Sequence, residues 1–223
     1  MRGLESLAAA RELGRNVLGD ALTLRLFCGL LAFDVAYIGV VAAKALGLVW
    51  FHSGIGNAII AGQLVLLALL LLSGWWHARN AALASLSLVA VLMAVEKIFK
   101  FHRFLKGHSV DPHAPSGLGA AASGQLIGLS AYLLVFGGVI VAALAIGWHR
   151  SDRAGRASIL LVGTGFAVMA GTSIVADAIG SMLRTLLGMD RDALSRAEQG
   201  LELFAVSALL ALAVGVVRVG WRE

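Results

Sequence analysis

Cysteine and proline are scarce in this chain, and so is charge. Cys28 is the single cysteine among 223 residues, so one chain can form neither an internal disulfide nor a zinc or iron–sulfur site built on several cysteines. The two prolines, Pro112 and Pro115, lie close together in one short stretch. Charged residues make up 14% of the chain, against about 25% in soluble domains. These shortages exclude a disulfide-stabilised scaffold and argue against an ordinary soluble domain.

Long apolar runs are what the chain has instead. Hydrophobic residues make up 59% of it, and 27 glycines suit helices that pack through small residues better than a β-barrel. A transmembrane helix needs about 20 apolar residues. Six runs approach that length: Leu24–Leu46, Ala58–Trp76, Ala81–Phe99, Gly124–Trp148, Ser158–Ile179 and Leu201–Val219. The sequence therefore predicts an all-α polytopic membrane bundle of about six transmembrane helices.

The polar residues 1–22 precede this bundle. Their leucines form a partial apolar helix face, which favours a segment lying at the cytoplasmic membrane interface. The segment is too long and too charged for the start of a signal peptide, so we expect it to be retained. Residues 23–223 are predicted to form one six-helix domain. The net charge of +5 reports on topology and on anionic lipid, so the predicted partner is the bilayer and not nucleic acid.

A repeated ending predicts the topology. The second, fourth and sixth spans end in a glycine, one or two tryptophans and a nearby arginine, at Gly74–Arg79, Gly147–Arg150 and Gly220–Arg222. Tryptophan prefers the membrane interface, and arginine just beyond it reaches the headgroups. With a slight excess of Lys and Arg on that side, the pattern predicts both termini in the cytoplasm and a location in a bacterial inner membrane.

Small residues at four-residue spacing predict close helix packing. Gly124 and Gly128 form one such pair, and Gly163, Ala167 and Gly171 form a longer repeat. Stripes of this kind allow two helix backbones to approach closely inside a bilayer. We therefore expect both stripes to face a neighbouring helix.

The third span ends in charge without a helix-breaking residue. No glycine or proline lies between Leu83 and Lys106, so the helix is expected to continue into the charged stretch. Glu96, Lys100 and Arg103 share one stripe of that helix. Glu96 precedes Lys100 by four residues, which is the favourable order for an ion pair, so Lys100 is the expected partner of Glu96.

Charged residues of several spans should meet at the non-cytoplasmic face. In a six-span topology the ends of the third and fifth spans and the starts of the fourth and sixth lie there together. The predicted binding residues are Glu96, Lys97, Lys100, His102, Arg103, Asp177, Arg184, Glu198 and Glu202. They indicate a polar pocket, or alternatively a network of ion pairs that only holds helix ends together. Glu96 and Glu202, at the same predicted depth, are expected to belong to one site.

Asp34 is a further predicted binding residue because it lies near the centre of the first span. A central Asp costs about 2.5–3.5 kcal/mol on insertion scales. One interpretation is a proton or cation relay, or an anchor for a polar ligand. The other is a neutral Asp that is hydrogen-bonded to a neighbouring helix, with Gln63 as the expected partner.

Cofactor motifs are few. His102, His108, Asp111 and His113 carry ligand types that suit zinc, although their spacing matches no known template and a solvated loop is the alternative.

Gly117–Ala122 fits a dinucleotide pattern but follows no strand, so no nucleotide cofactor is predicted. Ser173 has no obvious partner base, so serine hydrolysis is not expected.

Two stretches resemble those of a loose group of bacterial multi-pass membrane proteins. Val95–Arg103 resembles the group's span endings, in which an acidic residue is followed by a histidine, and Ala197–Ala205 resembles its Glu-x-x-x-Glu entry to the last span. The resemblance implies a multi-pass helical fold and a site at these residues. It implies no particular activity.

Two functional classes stay open on this sequence. In the first, the protein binds or moves a small polar species, namely a proton, a cation or a lipid headgroup, through the charged residues. In the second, it is a non-catalytic subunit whose charged ends dock another membrane protein or a second copy of itself. An enzyme acting on lipid-linked substrates is a third possibility, and it is disfavoured because the sequence shows no nucleophile paired with a base.

The topology can be tested by cysteine labelling. In a Cys28→Ser background, we expect a membrane-impermeant maleimide added from outside to modify Lys106→Cys and not Arg150→Cys, because the Trp-Arg endings place Arg150 in the cytoplasm. Labelling is measured on intact cells, with permeabilised cells as the control for reactivity. The reverse pattern would contradict the predicted orientation.

Overall fold

Seven α-helices make up the described part of the chain. The computed structural model describes residues 2–45, 55–99, 130, 133–187 and 191–220, and their side chains except at 2, 3, 44, 45, 131–133, 174–187, 191–197 and 220. The helices are α1 (Arg2–Gly19), α2 (Ala21–Ala45), α3 (Ile55–Ala78), α4 (Ala81–Phe99), α5 (Gly138–Arg150), α6 (Arg153–Leu187) and α7 (Arg191–Gly220), and a π-helical turn, Leu133–Gly137, leads into α5. No strand occurs in these residues, so the predicted all-α bundle is confirmed.

Five stretches of the described residues are long and apolar enough to cross a membrane: Ala21–Ala43, Ile55–Ala78, Ala81–Phe99, Arg153–Ser173 and Glu198–Val219. They correspond to five of the six predicted spans. The fourth predicted span appears as the shorter apolar helix Leu134–Arg150, because the first residues of that span lie outside the described part. The chain is thus a multi-pass helical membrane protein by length and composition.

Helix α7 lies at the centre of the bundle and α2 at its edge. In the α7 span 61% of residues are buried, against 6% in the α2 span. Helix α7 packs against α1, α2, α3 and α6, while α3 packs against α4 and α4 against α5. Leu64, Leu67 and Leu71 of α3, spaced by three and four residues, are fully buried in the shared core. Tight packing of such side chains holds transmembrane helices together, because the hydrophobic effect does not favour helix association in an apolar lipid environment.

Three helices begin at one end of the bundle with a capping side chain. The Asp20 carboxylate accepts hydrogen bonds from the Thr23 backbone N–H (3.0 Å) and hydroxyl (2.9 Å) at the start of α2. Asn80 Oδ1 accepts from the Ala82 N–H (3.0 Å) ahead of α4, and Asp152 Oδ1 accepts from the Gly155 N–H (2.8 Å) ahead of α6. Each cap satisfies a backbone donor that the helix leaves unpaired and contributes about 1 kcal/mol.

The α3–α4 turn is tighter than the predicted link of four residues. Helix α3 continues to Ala78, so Arg79 and Asn80 alone connect the two helices. Arg79 adopts a positive φ of 52°, an unusual conformation for a residue with a side chain, and its N–H donates to the Trp75 carbonyl at 2.7 Å. Its guanidinium lies 5.8 Å from the Trp75 ring and 5.1 Å from the Trp76 ring, so cation–π attraction supports the turn.

The tryptophan endings of the second and fourth predicted spans lie at the same end. The Ser151 hydroxyl, after α5, donates to Asn80 Oδ1 at 3.3 Å, and the Arg156 guanidinium lies 5.8 Å from the Trp148 ring. Trp221, in the third of these endings, lies outside the described residues. We call this region, with Arg79, Trp75, Trp76, Trp148 and Arg156, the Trp–Arg end. Its cytoplasmic orientation stays a prediction.

Helix α1 packs on the bundle beside the Trp–Arg end. It contacts α6 and α7, and to a lesser extent α2. Val17 is 1% exposed and lies close to Gly215 of α7, where a Cβ would also stand 3.0 Å from the Thr23 hydroxyl. The N-terminal segment is therefore part of the folded unit. Its position at a membrane surface stays a prediction.

The expected packing role of Gly163, Ala167 and Gly171 is wrong. Ala167 is exposed, a Cβ on Gly163 would meet Ile159 of its own helix alone, and a Cβ on Gly171 would meet nothing within 4 Å among the described residues. Close approaches occur instead at glycines outside that repeat, including Gly147 against Ser85 of α4. Four-residue spacing places residues on one stripe, but it does not say which stripe faces a neighbour. Gly124 and Gly128 lie outside the described residues.

A matched pair of glycine substitutions tests this assignment. Gly147→Ala should lower the thermal unfolding midpoint in detergent, because its Cβ would lie 2.7 Å from the Ser85 Cβ, and overpacking of this kind costs about 1–3 kcal/mol. Gly171→Ala should keep or raise the midpoint, because alanine is the better helix former by about 1 kcal/mol and no described residue lies within 4 Å of the added Cβ. Equal effects of the two substitutions would contradict the packing described here.

Candidate functional site

Glu202 is a buried acid held by two other helices. It is 3% exposed, and its Oε1 accepts a hydrogen bond from the Ser173 hydroxyl at 2.5 Å. The same oxygen forms an ion pair with Lys97 Nζ. Lys97 belongs to α4, Ser173 to α6 and Glu202 to α7, so one carboxylate oxygen joins three helices. We call these residues the Lys97–Glu202–Ser173 cluster.

The helix directions explain why these three residues meet. Lys97 lies late in the described part of α4, Ser173 lies in the second half of α6, and Glu202 lies in the first half of α7. Helices α4 and α6 begin at the Trp–Arg end, whereas α7 ends there. The later part of α4, the later half of α6 and the earlier half of α7 therefore lie toward the opposite end of the bundle, which is the end where the sequence predicts a charged site.

The two charged members differ in their access to solvent or lipid headgroups. The Lys97 side chain is 23% exposed and the Glu202 side chain is 4% exposed. The ammonium group is therefore the outer member of the pair and the carboxylate the inner one. Removing one partner of a buried ion pair typically costs about 3–5 kcal/mol, because the remaining charge is left without compensation. The cluster thus joins α4, α6 and α7, and its lysine is the more accessible charge.

Ser173 has a role that the sequence did not reveal. Its hydroxyl donates to Glu202 and also lies 3.2 Å from the Met169 carbonyl one turn earlier. The earlier interpretation that Ser173 has no partner base is corrected, since its partner is a carboxylate on another helix. Glu202 lies 29 residues away on α7, so no local spacing could have indicated the pair. The contact, together with the Lys97 ion pair, holds the Glu202 carboxylate in place.

The other predicted binding residues fall into two groups. Glu96 is buried, 7% exposed, one residue before Lys97 on α4, and Glu198 is half-buried at the start of the α7 span. The remaining positions lie outside the described residues or side chains: Lys100, His102, Arg103, Asp177 and Arg184. The pairing of Glu96 with Lys100 and the membership of Glu96 in the same site as Glu202 therefore stay predictions.

The predicted metal ligands His102, His108, Asp111 and His113 also lie outside the described residues. Within the described part of the chain, no three His, Cys, Asp or Glu side chains come together as a metal site would require. The zinc hypothesis rests on the sequence alone.

Asp34 has a different neighbour from the one expected. It is fully buried, at 0% exposed, and Ser207 of α7 lies beside its carboxyl group. No contact of either carboxyl oxygen with a described residue meets the geometric limits of a hydrogen bond. Gln63 Nε2 instead donates to the Ser207 hydroxyl at 3.0 Å. The expected Asp34–Gln63 hydrogen bond is therefore wrong, and Ser207 stands between the two residues.

A polar cavity of about 570 Å³ lies at the Trp–Arg end, under α1. Its polar lining includes Glu12 and Asn16 from α1, Asn80 from the α3–α4 turn, and Asp152 and Arg153 at the start of α6. Sequence reasoning missed this cavity because it forms where α1 folds back onto the bundle. Asn80 and Asp152 already serve there as helix caps.

No protein-family model, curated protein or solved structure matches this chain. The argument about function therefore depends on the geometry of the chain's own residues.

A double-mutant cycle tests the Lys97–Glu202 pair. Lys97→Met and Glu202→Gln should each lower the free energy of unfolding, because each leaves a buried partner uncompensated. The double variant should lose less than the sum, with a coupling energy of about 0.5–3 kcal/mol. Unfolding is followed by thermal or denaturant titration in detergent. Lys97→Met combined with Glu12→Gln, at the opposite end, is the control and should be additive, and additivity in both cycles would contradict the pair.

Proposed function

We propose that this protein is a bacterial inner-membrane protein that binds a small polar species at the Lys97–Glu202–Ser173 cluster. One observation carries the proposal: a buried acid on one membrane-length helix has a part-exposed lysine from a second helix as its ion-pair partner and a serine from a third as its hydrogen-bond donor. Two charges placed for stability alone would be better replaced by apolar side chains, which are often neutral or stabilising in such positions. Because Lys97 is more exposed than Glu202, this arrangement favours a lysine that can exchange its partner for a bound molecule.

The species favoured by the geometry is an anionic phospholipid headgroup. Lys97 is the member that an entering molecule reaches first, because its side chain is 23% exposed and that of Glu202 is 4% exposed. A lysine side chain can extend along the apolar surface so that its ammonium group reaches the headgroup level. An ammonium carries three donors, so Lys97 can bind a phosphate oxygen while it stays near Glu202, and Ser173 continues to hold that carboxylate.

A proton or a small cation is the second candidate within the same class. The lysine side chain is flexible, and its departure would leave Glu202 as an acceptor with the Ser173 hydroxyl beside it. A proton or cation could then replace the ammonium group. This mode predicts movement of an ion across the membrane, which headgroup binding does not.

Lipid-dependent stability tests the headgroup proposal. Phosphatidylglycerol should raise the thermal unfolding midpoint of the detergent-solubilised protein more than phosphatidylcholine does, because a ligand at 100 times its Kd stabilises by about 2.7 kcal/mol. Lys97→Met should abolish the difference between the two lipids. Arg153→Met, which removes an equal charge from an exposed position at the Trp–Arg end, is the matched control and should preserve it.

An unchanged lipid difference in Lys97→Met would contradict headgroup binding at the cluster. Ion flux into proteoliposomes that Glu202→Gln abolishes would instead support the proton or cation mode. Loss of a co-purifying membrane protein in these variants, with lipid response and flux unaffected, would favour the role of a non-catalytic subunit.

A further inference from the structure

A groove between α2 and α7 lies apart from the Lys97–Glu202–Ser173 cluster. It has a volume of about 420 Å³ and is lined by Phe27, Leu31 and Asp34 of α2 and by Phe204, Ala205, Ser207 and Ala208 of α7. Apart from Asp34 and Ser207 the lining is apolar. Helix α2 lies at the edge of the bundle, and its neighbouring residues Phe33 and Val35 are 48% and 58% exposed. The groove is therefore at a surface that faces lipid.

Asp34 is the ionisable residue in this otherwise largely apolar lining. It is completely buried, and neither carboxyl oxygen has a hydrogen bond within the described residues. Ser207, the adjacent polar group, accepts a hydrogen bond from Gln63, so its hydroxyl hydrogen can still point toward Asp34, but a neutral hydroxyl cannot balance the charge of a carboxylate. A buried polar group without a partner is costly, and an ionisable one inside a membrane span indicates a functional position. What the groove lacks is a positive charge.

We propose that this groove binds a monovalent organic cation with an apolar body, which enters from the lipid side. The Asp34 carboxylate supplies the opposite charge. The phenyl rings of Phe27 and Phe204, one from each helix, supply aromatic surface that attracts cations. The volume falls within the range of about 300–1,000 Å³ that small-molecule sites occupy.

Other occupants fit the same lining less well. A lipid acyl chain would fill the apolar volume and leave the carboxyl group without a partner. A hard metal ion such as Mg²⁺ or Ca²⁺ needs about six or more oxygen ligands, and Asp34 and Ser207 supply far fewer. An anion would be repelled by Asp34. An apolar cation satisfies both the charge and the hydrophobic lining.

The groove is independent of the proposed headgroup site. Neither Lys97 nor Glu202 lines it, and its polar residues are Asp34 on α2 and Ser207, which follows Glu202 by more than one turn of α7. If the lipid experiment contradicted the headgroup proposal, the inference about the groove would therefore be unaffected. Likewise, failure of the cation-binding experiment would not affect the headgroup proposal.

Binding of tetraphenylphosphonium to the purified protein tests the inference. Equilibrium dialysis of radiolabelled tetraphenylphosphonium in maltoside micelles, corrected with protein-free micelles, should show saturable binding to the wild-type chain. Asp34→Asn should raise the Kd by about tenfold or more, since hydrogen bonds and contacts to a charged group are the strong ones. Tetraphenylborate has a similar shape and the opposite charge, so it should not bind saturably at the groove.

Two further variants separate an effect on the groove from a general effect of mutation or loss of folding. Ala208→Phe fills the groove from an exposed position without changing Asp34, and it should also abolish saturable binding. It decides the question if Asp34→Asn does not fold. Glu12→Gln removes an acid far from the groove and should bind like the wild type. Wild-type affinity in Ala208→Phe, or equal saturable binding of the phosphonium and the borate, would overturn the proposal.

Discussion

The requirement that polar and charged groups inside hydrocarbon find partners within the protein shapes this molecule more than any other constraint. Backbone groups meet it by forming helices, which is why the described chain contains no strands. Polar and charged side chains meet it at the two ends of the bundle. At the Trp–Arg end, Asp20, Asn80 and Asp152 cap helices. At the other end, Glu202 is held by an ammonium and a hydroxyl from two neighbouring helices. Asp34 is the described acid for which this requirement is not met within the fold.

Helix α7 connects these features. It carries Glu202 near the start of its span, Ser207 further along, and Arg218, which lies 3.6 Å from the Asp20 carboxylate at the far end. Because its span is buried on most sides, its polar residues meet partners from α3, α4 and α6 and from the link between α1 and α2. A central helix can serve a site at each depth of the bundle. A peripheral helix such as α2 contributes to one face alone.

The two candidate sites differ in the chemistry they offer. The Lys97–Glu202–Ser173 cluster contains charges of both signs, one of them part-exposed, which is the basis for proposing that it binds a polar headgroup. The groove beside Asp34 offers one acid and an apolar wall within the span, which is the basis for proposing an apolar cation that is already dissolved in the bilayer.

The sequence by itself determined the fold class and five of the six predicted spans, because each depends on the length of an apolar run. The third predicted span begins at Ala81, as helix α4 does. The partners were decided by tertiary structure alone: Lys97 with Glu202 across 105 residues, Ser173 with Glu202, and Ser207 with Gln63. The same holds for Gly147, which packs closely while the regular stripe from Gly163 to Gly171 does not. Spacing along one helix specifies which residues share a face, whereas the rotation of each helix against its neighbours follows from the packing of the whole bundle.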